Sequence, residues 1–408
     1  MTFNRLRFIH GAALGLTIAG GSLLGGCSKD EPVTPAITRA DKGGVLIYAV
    51  ASNSLDTYFP ADMAEIERTL PNLDLSKGEL WVYSVLPNSK PTLKKLTAAP
   101  DGSAEWKLVK EYDRNQFSTD PKRISGVISD YMELCDADTH GLILWSHAAS
   151  WSPAFSDHAV PQSRSSVTVA DGYYQPTENQ WFGQDKHNGV SDYCDLIELE
   201  EAIPDNTFDF IWFDCCYMSA IEVLYQFRDK TPYIVGCPTE VNALGMPYDV
   251  TMPHLLKKDF NLVGAAKAMA ETYLNDNAVM TIAVIDTSAL EDVAAIAEKA
   301  VTGERVSPSK LQKYSRQSYA FYDFGQYTRT WGESLGDEWS TPEFNAAMDR
   351  MVVYKAASAR DFNGREIKPE NFSGVSCHYF YALTDDPKTE YYKSLDWFKR
   401  VYPRFPGL

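Results

Sequence analysis

Basic residues are scarce in this 408-residue chain: 38 lysines and arginines stand against 55 aspartates and glutamates, a formal charge of −17. Binding to nucleic acid needs a basic face that displaces counterions from phosphates, so a nucleic-acid partner is excluded from the expected functions. Cysteine is sparse too, with seven in all and no CxxC pair at the spacing of a zinc site. A disulfide scaffold and a structural zinc module are therefore not expected. No HExxH, no GxSxG and no phosphate-binding glycine loop occurs, and His140, His158, His187, His254 and His378 share no ligand spacing, so no metal ligands are assigned. Repeats and low-complexity tracts are missing as well. What remains, 44% hydrophobic and 23% charged residues, is the composition of a globular chain able to bury a large core.

The first 26 residues carry only Arg5 and Arg7 as charges, and losing them would leave −19. Their short basic start, apolar run (11–24) and small-residue exit have the composition of an export signal rather than of a spanning helix. The exit, Leu24-Gly25-Gly26-Cys27, resembles the lipobox of bacterial lipoproteins, which implies lipidation of Cys27 and anchoring to the cell envelope, at the outer membrane, the surface or its periplasmic face. Residues 1–26 are thus expected to be a lipoprotein signal and 27–43, polar and proline-containing, a tether.

Beyond the tether, short apolar runs alternate with helical spacing. The runs are VLIYAVA (45–51), ELWVYSV (79–85), GLILWSH (141–147), FDFIWFD (208–214), YIVGC (233–237) and TIAVID (281–286). Near-continuous apolar strands separated by helices predict an α/β fold with a mostly parallel sheet covered on both faces. Helical spacing is read at 61–70, 120–135, 261–274 and 289–301, and helical patterns dominate after about Ser307, before a late strand in SGVSCHYFYAL (373–383). The polar stretch 152–188 is read as one long loop.

Two strand ends carry residues that a cysteine hydrolase needs. One ends in His147 and the other in Cys215-Cys216, 69 positions later. An attacking thiolate needs an imidazole to take its proton or to pair with it, and then to protonate the leaving amine. Two buried small hydrophobes would account for adjacent cysteines equally well. Ser219-Ala220-Ile221-Glu222 has the S-x-x-E form of a capping box, which predicts an amphipathic helix from about Ser219 and places Cys216 in the turn ahead of it.

The segments LILWSHAASW, FDFIWFDCCYM and YIVGCPTEVNALGMPYD together resemble the clostripain-like cysteine peptidases (family C11). Those patterns run L-I-L-W-D-H-G-x-G-W, F-D-A-C-x-M and Y-x-V-x-S-E-E-x-x-x-G-D-G-W-P-Y-D. The opening strand and helix, with Asn-x-Leu and Asp-x-x-E-I elements, and the late FSGVSCHYFY also look like the family, so the likeness covers nearly all of 44–400. It implies a caspase-like α/β fold with a helix-rich C-terminal extension, a peptidase core at 44–260 and, at 261–408, the rest of the same domain. It also implies His147 as catalytic base, Cys216 as nucleophile and the amides of Ala148 and Cys216 as the oxyanion hole, with Cys215 standing where the family has alanine. Asp214 matches one acid of a pocket for arginine or lysine, and the second acid falls on Leu244. The Glu pair becomes Pro238-Thr239, with Glu240 following. Ala148 and Ser150 replace two glycines of the histidine loop, and an alanine forced to positive φ would distort the hole.

The expected function is a cysteine endopeptidase exported as a lipoprotein and acting on peptides or proteins. The alternative is a catalytically weak or inactive relative that binds peptides or a partner protein. No cofactor is required on this reading. The resemblance leaves calcium open as an accessory ion, although NLDLSKGE (72–79) lacks the EF-hand ligand set. Oligomeric state leaves no mark in the sequence, and Arg164 and Lys186 are the basic residues in the stretch where the family is cleaved during maturation.

Overall fold

The computed structural model describes residues 41–151, 182–304, 307–314, 321–379 and 387–403. The signal, Cys27, most of the tether and, within the polar stretch, residues 152–181 with His158 and Arg164 lie outside the described residues. In chain order the elements are β1 (Gly43–Val50), α1 (Phe59–Thr69), β2 (Gly78–Val85), β3 (Thr92–Ala98), β4 (Ala104–Glu111), α2 (Pro121–Leu134), β5 (Thr139–Trp145), β6 (Phe182–His187), β7 (Val190–Cys194), α3 (Leu196–Ala202), β8 (Phe210–Asp214), α4 (Ile221–Gln226), β9 (Tyr233–Gly236), α5 (Tyr248–Leu255), α6 (Leu262–Asn275), β10 (Thr281–Asp286), α7 (Leu290–Ala300), β11 (Phe321–Asp323), α8 (Phe324–Glu333), α9 (Thr341–Met351), β12 (Val352–Ala357), β13 (Ser376–His378), α10 (Pro387–Ser394) and α11 (Asp396–Val401).

Among the described residues, nine strands form one sheet in the order β12-β10-β9-β8-β5-β1-β2-β3-β4. The central strands β9, β8, β5, β1 and β2 run parallel. Antiparallel pairings close both edges. Successive side chains of a strand point to opposite faces, and this chain buries both. Leu46, Tyr48 and Val50 of β1 enter one core layer with α2, α3, α4, α7, α8 and α9, while Val45, Ile47 and Ala49 enter the other with α1, α5 and α6. That two-sided burial is why the central strands read as unbroken apolar runs rather than as an alternation. Helix starts follow local chemistry: the Asp120 carboxylate accepts from the Lys122 amide with Pro121 behind it, and Asn261 accepts from Gly264.

Several expectations need correction. The run 281–286 is a strand but lies antiparallel to β9. The polar stretch is not loop throughout, because 182–187 is β6, paired with β7 across Asn188 and Gly189 at φ 51° and 79°. Two residues in left-handed conformation are what a tight hairpin turn demands, so Asn-Gly was the signal to read there. Of the late strand, 380–383 lie outside the described residues; among those described, Ser376–His378 forms the strand and pairs with β11 in a separate small sheet, and the C-terminal part also sends β12 into the main sheet. The capping box is not formed: α4 begins at Ile221 behind Ala220 with no side-chain cap, and all six of its residues are buried, so it is not amphipathic. Ser219 and Glu222 are used in tertiary contacts instead. The Ser219 hydroxyl donates to the Gly374 carbonyl, and the Glu222 carboxylate accepts from the His378 amide at 2.8 Å and the Tyr392 hydroxyl at 3.1 Å.

Candidate active site

β5 and β8 are neighbours in register, with Trp145 opposite Asp214. His147 and Cys216 each follow two residues past that pair, so adjacent parallel strands deliver imidazole and thiol to the same edge of the sheet. The carboxyl edge is where open α/β sheets place their chemistry. β1, on the other side of β5, runs out into Ser52, Asn53 and Ser54.

His147 is tethered from two directions. Its carbonyl accepts from the Gly183 amide of β6 at 2.9 Å, and the Ser54 hydroxyl lies 2.8 Å from its Nε2. The hairpin that provides Gly183 is itself fixed by a buried pair, since both Arg114 Nη atoms reach the Asp185 carboxylate at 2.6 and 3.1 Å and the Ser118 amide donates to it at 2.7 Å. Cutting one side of such a pair strands a charge in the core and costs about 3–5 kcal/mol. Lys186, in the same strand, has its amide donating to the Ser52 carbonyl and its own carbonyl accepting from the Ser52 hydroxyl and Arg114. A peptide held on both sides in this way does not fit a protease cleft, so Lys186 is set aside as a maturation site.

Cys216 is half-buried, and its Sγ accepts from the Val241 amide at 3.3 Å. Burial pushes the thiol up to about 12; the Val241 amide pulls it down, and Glu240 and Asp214 add to the rise. The resting sulfur is therefore a neutral thiol. A helix dipole adds nothing at this sulfur, because α4 starts five residues further on and is a single short turn and a half. Cys215 is 2% exposed, packed in the core with its thiol near the Leu144 carbonyl, and burial holds its pKa well above the ordinary value. Beyond each of the two key residues one L-residue is left-handed: Ser150 at φ 62° and Tyr217 at φ 62°. Tyr217 is held there by its amide on the Thr239 carbonyl and by stacking on Phe321 at 5.3 Å. Strain of this kind concentrates where a loop must present a group in a fixed direction. Among the described residues, the amides of Ala148 and Cys216 donate to no protein acceptor.

Asp214 forms an acidic floor next to the thiol. Its Oδ2 accepts from the Met246 amide at 3.2 Å and the Tyr248 hydroxyl at 3.1 Å, while Oδ1 is buried without a partner among the described residues. Gly245, at φ 65°, closes over this carboxylate, and a Cβ there would stand 3.0 Å from Oδ2. Asp62 adds to the floor, accepting from the Trp145 indole at 2.8 Å, and Glu65 accepts from the Tyr248 amide at 3.0 Å.

The sequence model of the peptidase C11, clostripain, family matches residues 47–399. The chain belongs to the clostripain family. Its class is accordingly that of a cysteine-type peptidase. Two solved clostripain-family structures share its fold. A secreted C11 cysteine protease from Bacteroides thetaiotaomicron, in complex with an irreversible peptide inhibitor, has a TM-score of 0.71 at 24% identity, over 88% of this chain and 98% of that one. An inactive zymogen C11 protease from Parabacteroides distasonis has a TM-score of 0.70 at 27% identity, over 88% and 98%. No curated protein sequence matches the chain.

Two departures from the clostripain pattern now have positions. Ala148 is not among the residues at positive φ; the left-handed residue of that loop is Ser150, so the backbone strain feared at Ala148 falls two residues later. Leu244 is 60% exposed and its amide donates to the Asn242 side chain, so it stands on the outside of the loop whose next residue covers Asp214. Ser54, Val241 and the Asp62–Glu65 floor escaped the sequence reading, although the Asn-x-Leu and Asp-x-x-E-I elements mark the segments that carry the first and last of them. In the NLDLSKGE segment Glu79 pairs with Lys95 at 2.8 Å and Lys42 at 3.5 Å. Among the described residues no group of three or more His, Cys, Asp or Glu is placed to hold a metal.

The buried acids predict an unusual pH dependence of stability. Burial raises Asp62 to about 9, Glu222 to about 7 and Asp214 to about 6. Each folded-state pKa lies above that of the unfolded chain, so the folded state holds extra protons between the two values and loses stability as pH rises through that window. The melting temperature should fall steadily from about pH 4 to about pH 9, and Asp62→Asn should flatten the decline, as measured by thermal scans across that range. A curve that is flat or rises over the same interval would show that these carboxyls are not held neutral.

Proposed function

We propose that the chain is a cysteine endopeptidase working through a His147–Cys216 dyad. His147 takes the thiol proton as Cys216 Sγ attacks the peptide carbonyl. The amides of Ala148 and Cys216 receive the developing oxyanion, and the imidazolium then protonates the departing amine. Water, deprotonated by the same imidazole, releases the acyl group. The observation that carries this reading is the register: two residues past the Trp145–Asp214 pair, neighbouring strands end in the base and the nucleophile. Two others support it. The neutral resting thiol needs a nearby base, and among the described residues neither amide of the hole donates to a protein acceptor.

Asp214 supports a preference for a cationic side chain at the cleaved bond. A buried carboxylate oxygen with no partner among the described residues costs free energy that a guanidinium or ammonium would recover. Asp214 supplies that sign where Leu244 does not, so peptides or proteins cut after lysine or arginine are the proposed substrates. We further read the chain as exported and lipid-anchored to the envelope through Cys27, behind a signal at 1–26 and a tether at 27–43, with 44–260 and 261–408 as one peptidase domain. The apolar run and the Leu24-Gly25-Gly26-Cys27 exit support this. No helix among the described residues is long and apolar enough to cross a membrane.

The test is hydrolysis of a mixed fluorogenic peptide library by the full chain, with and without calcium. Cleavage concentrated after lysine and arginine is expected. Cleavage elsewhere would overturn the role of Asp214, and no cleavage at all would favour a relative that only binds peptides.

A further inference from the structure

The order of strand ends at the site is β8, β5, β1, with His147 on the middle one. Cys216 leaves the strand on one side. From the strand on the other side comes Ser54, whose hydroxyl lies 2.8 Å from His147 Nε2. We infer that Ser54 is the third member of the site, a positioning residue that holds the imidazole in one orientation and one tautomer. The inference rests on the proposed dyad and extends it to a residue that the family's motif leaves as any amino acid, the x of Asn-x-Leu.

The turn carrying Ser54 is built to be stiff. The Asn53 side-chain amide donates to the carbonyls of Val50 and Gln184, both at 2.8 Å, and its Oδ1 accepts from the Leu55 amide at 2.9 Å. The same side chain reaches Ser146, the residue before His147, at 3.4 Å, and the Ser146 hydroxyl donates to the Val50 carbonyl at 2.7 Å. One polar knot thus fixes both the backbone that leads into His147 and the turn that faces its ring. Ser54 itself is exposed, so it approaches the ring from the solvent side.

The proton ledger sets the tautomer. With Nε2–H donating to Ser54 Oγ, the lone pair left on the ring is that of Nδ1. The S–H bond of Cys216 breaks as its proton joins Nδ1, giving an imidazolium that still donates from Nε2 to Ser54. The Nδ1 proton then passes to the leaving amine, restoring the starting tautomer. In nucleophile–base pairs generally, a third group that orients the base contributes through geometry and through stabilising the cation that forms transiently. A hydroxyl does the first fully and the second weakly.

Kinetics on the full chain with a fluorogenic lysine peptide test this. Ser54→Ala should lower kcat roughly tenfold with KM unchanged, as expected for one lost hydrogen bond to a group that becomes charged only on the way to the transition state. Ser54→Thr, which keeps the hydroxyl, should return kcat to within about twofold of the parent. Ser54→Asp should move the acidic limb of the kcat/KM profile to higher pH by about one unit, because a carboxylate beside the ring stabilises imidazolium and a protonated base cannot act. An unchanged kcat in Ser54→Ala, while Cys216→Ala and His147→Ala are inert, would overturn the inference and leave the dyad standing. A loss in Ser54→Ala that Thr does not restore, with an unmoved pH limb in Ser54→Asp, would reduce Ser54 to a structural residue and overturn it too. Activity surviving in Cys216→Ala or His147→Ala would remove the dyad and this inference with it.

Discussion

Cys216→Ala should lower kcat/KM by roughly 10⁴-fold or more, and Cys215→Ala should leave it within a few fold. The two sulfurs are adjacent in sequence and opposite in circumstance. Cys215 is 2% exposed and belongs to the core layer beneath β8, whereas Cys216 is half-buried at the strand's open end and faces the Val241 amide. Removing the first deletes one buried sulfur and leaves a small void, a stability cost on the order of 1 kcal/mol with the chemistry intact. Removing the second deletes the only atom the proposed mechanism can use to form an acyl-enzyme. His147→Ala should fall nearly as far as Cys216→Ala. With the thiol pushed up to about 12, a chain lacking the base holds almost no thiolate near neutral pH. Kinetics of the four proteins on one lysine peptide, with melting temperatures alongside, separate chemistry from folding. Equal losses in Cys215→Ala and Cys216→Ala would return both residues to packing.

Asp214→Asn should cost roughly a thousandfold in kcat/KM on lysine and arginine peptides and far less on neutral ones. Asparagine can accept from the Met246 amide and the Tyr248 hydroxyl as aspartate does, so the floor keeps its shape while the charge disappears. The parent's own preference should titrate. Burial raises Asp214 to about 6, so below that pH the carboxyl is neutral and KM for basic peptides rises, while in Asp214→Asn KM does not change over the same range. A basic preference that survives the substitution would place specificity elsewhere, with Asp62 and Glu65 the next residues to test.

How far the sequence leads depends on what each segment buries. Strands covered on both faces, such as 45–51 and 208–214, announce themselves as apolar runs, and the order of those runs with His147 and Cys216 at two of their ends was enough to read the site's chemistry. Half-solvated strands were harder. β3 and β4, Thr92–Ala98 and Ala104–Glu111, mix lysines and glutamates with Leu93, Leu96 and Trp106, and only the Asp101-Gly102 turn between them signals a hairpin. β6 and β7 hid in the same way behind Asn188-Gly189. The capping box failed for another reason: α4 is buried on every side, so Ser219 and Glu222 serve the packing of Gly374, His378 and Tyr392 rather than the helix end. Local propensity loses to tertiary demand in such an element. Ser54 was illegible because a hydrogen bond between residues 93 positions apart leaves no trace in spacing. The strain at Ser150 and Tyr217 was equally silent, since neither residue type advertises a left-handed conformation.

The central claim is that Cys216 is a nucleophile activated by His147. It is tested most directly by treating the full chain at neutral pH with a peptidyl chloromethyl ketone ending in lysine, whose chloride leaves as the thioether forms, and mapping the adduct by mass spectrometry. The account predicts a single adduct, on Cys216, formed in the parent and in Cys215→Ala and not in His147→Ala. An adduct on Cys215 or on any other cysteine, or equal labelling of Cys216 with and without His147, would contradict it.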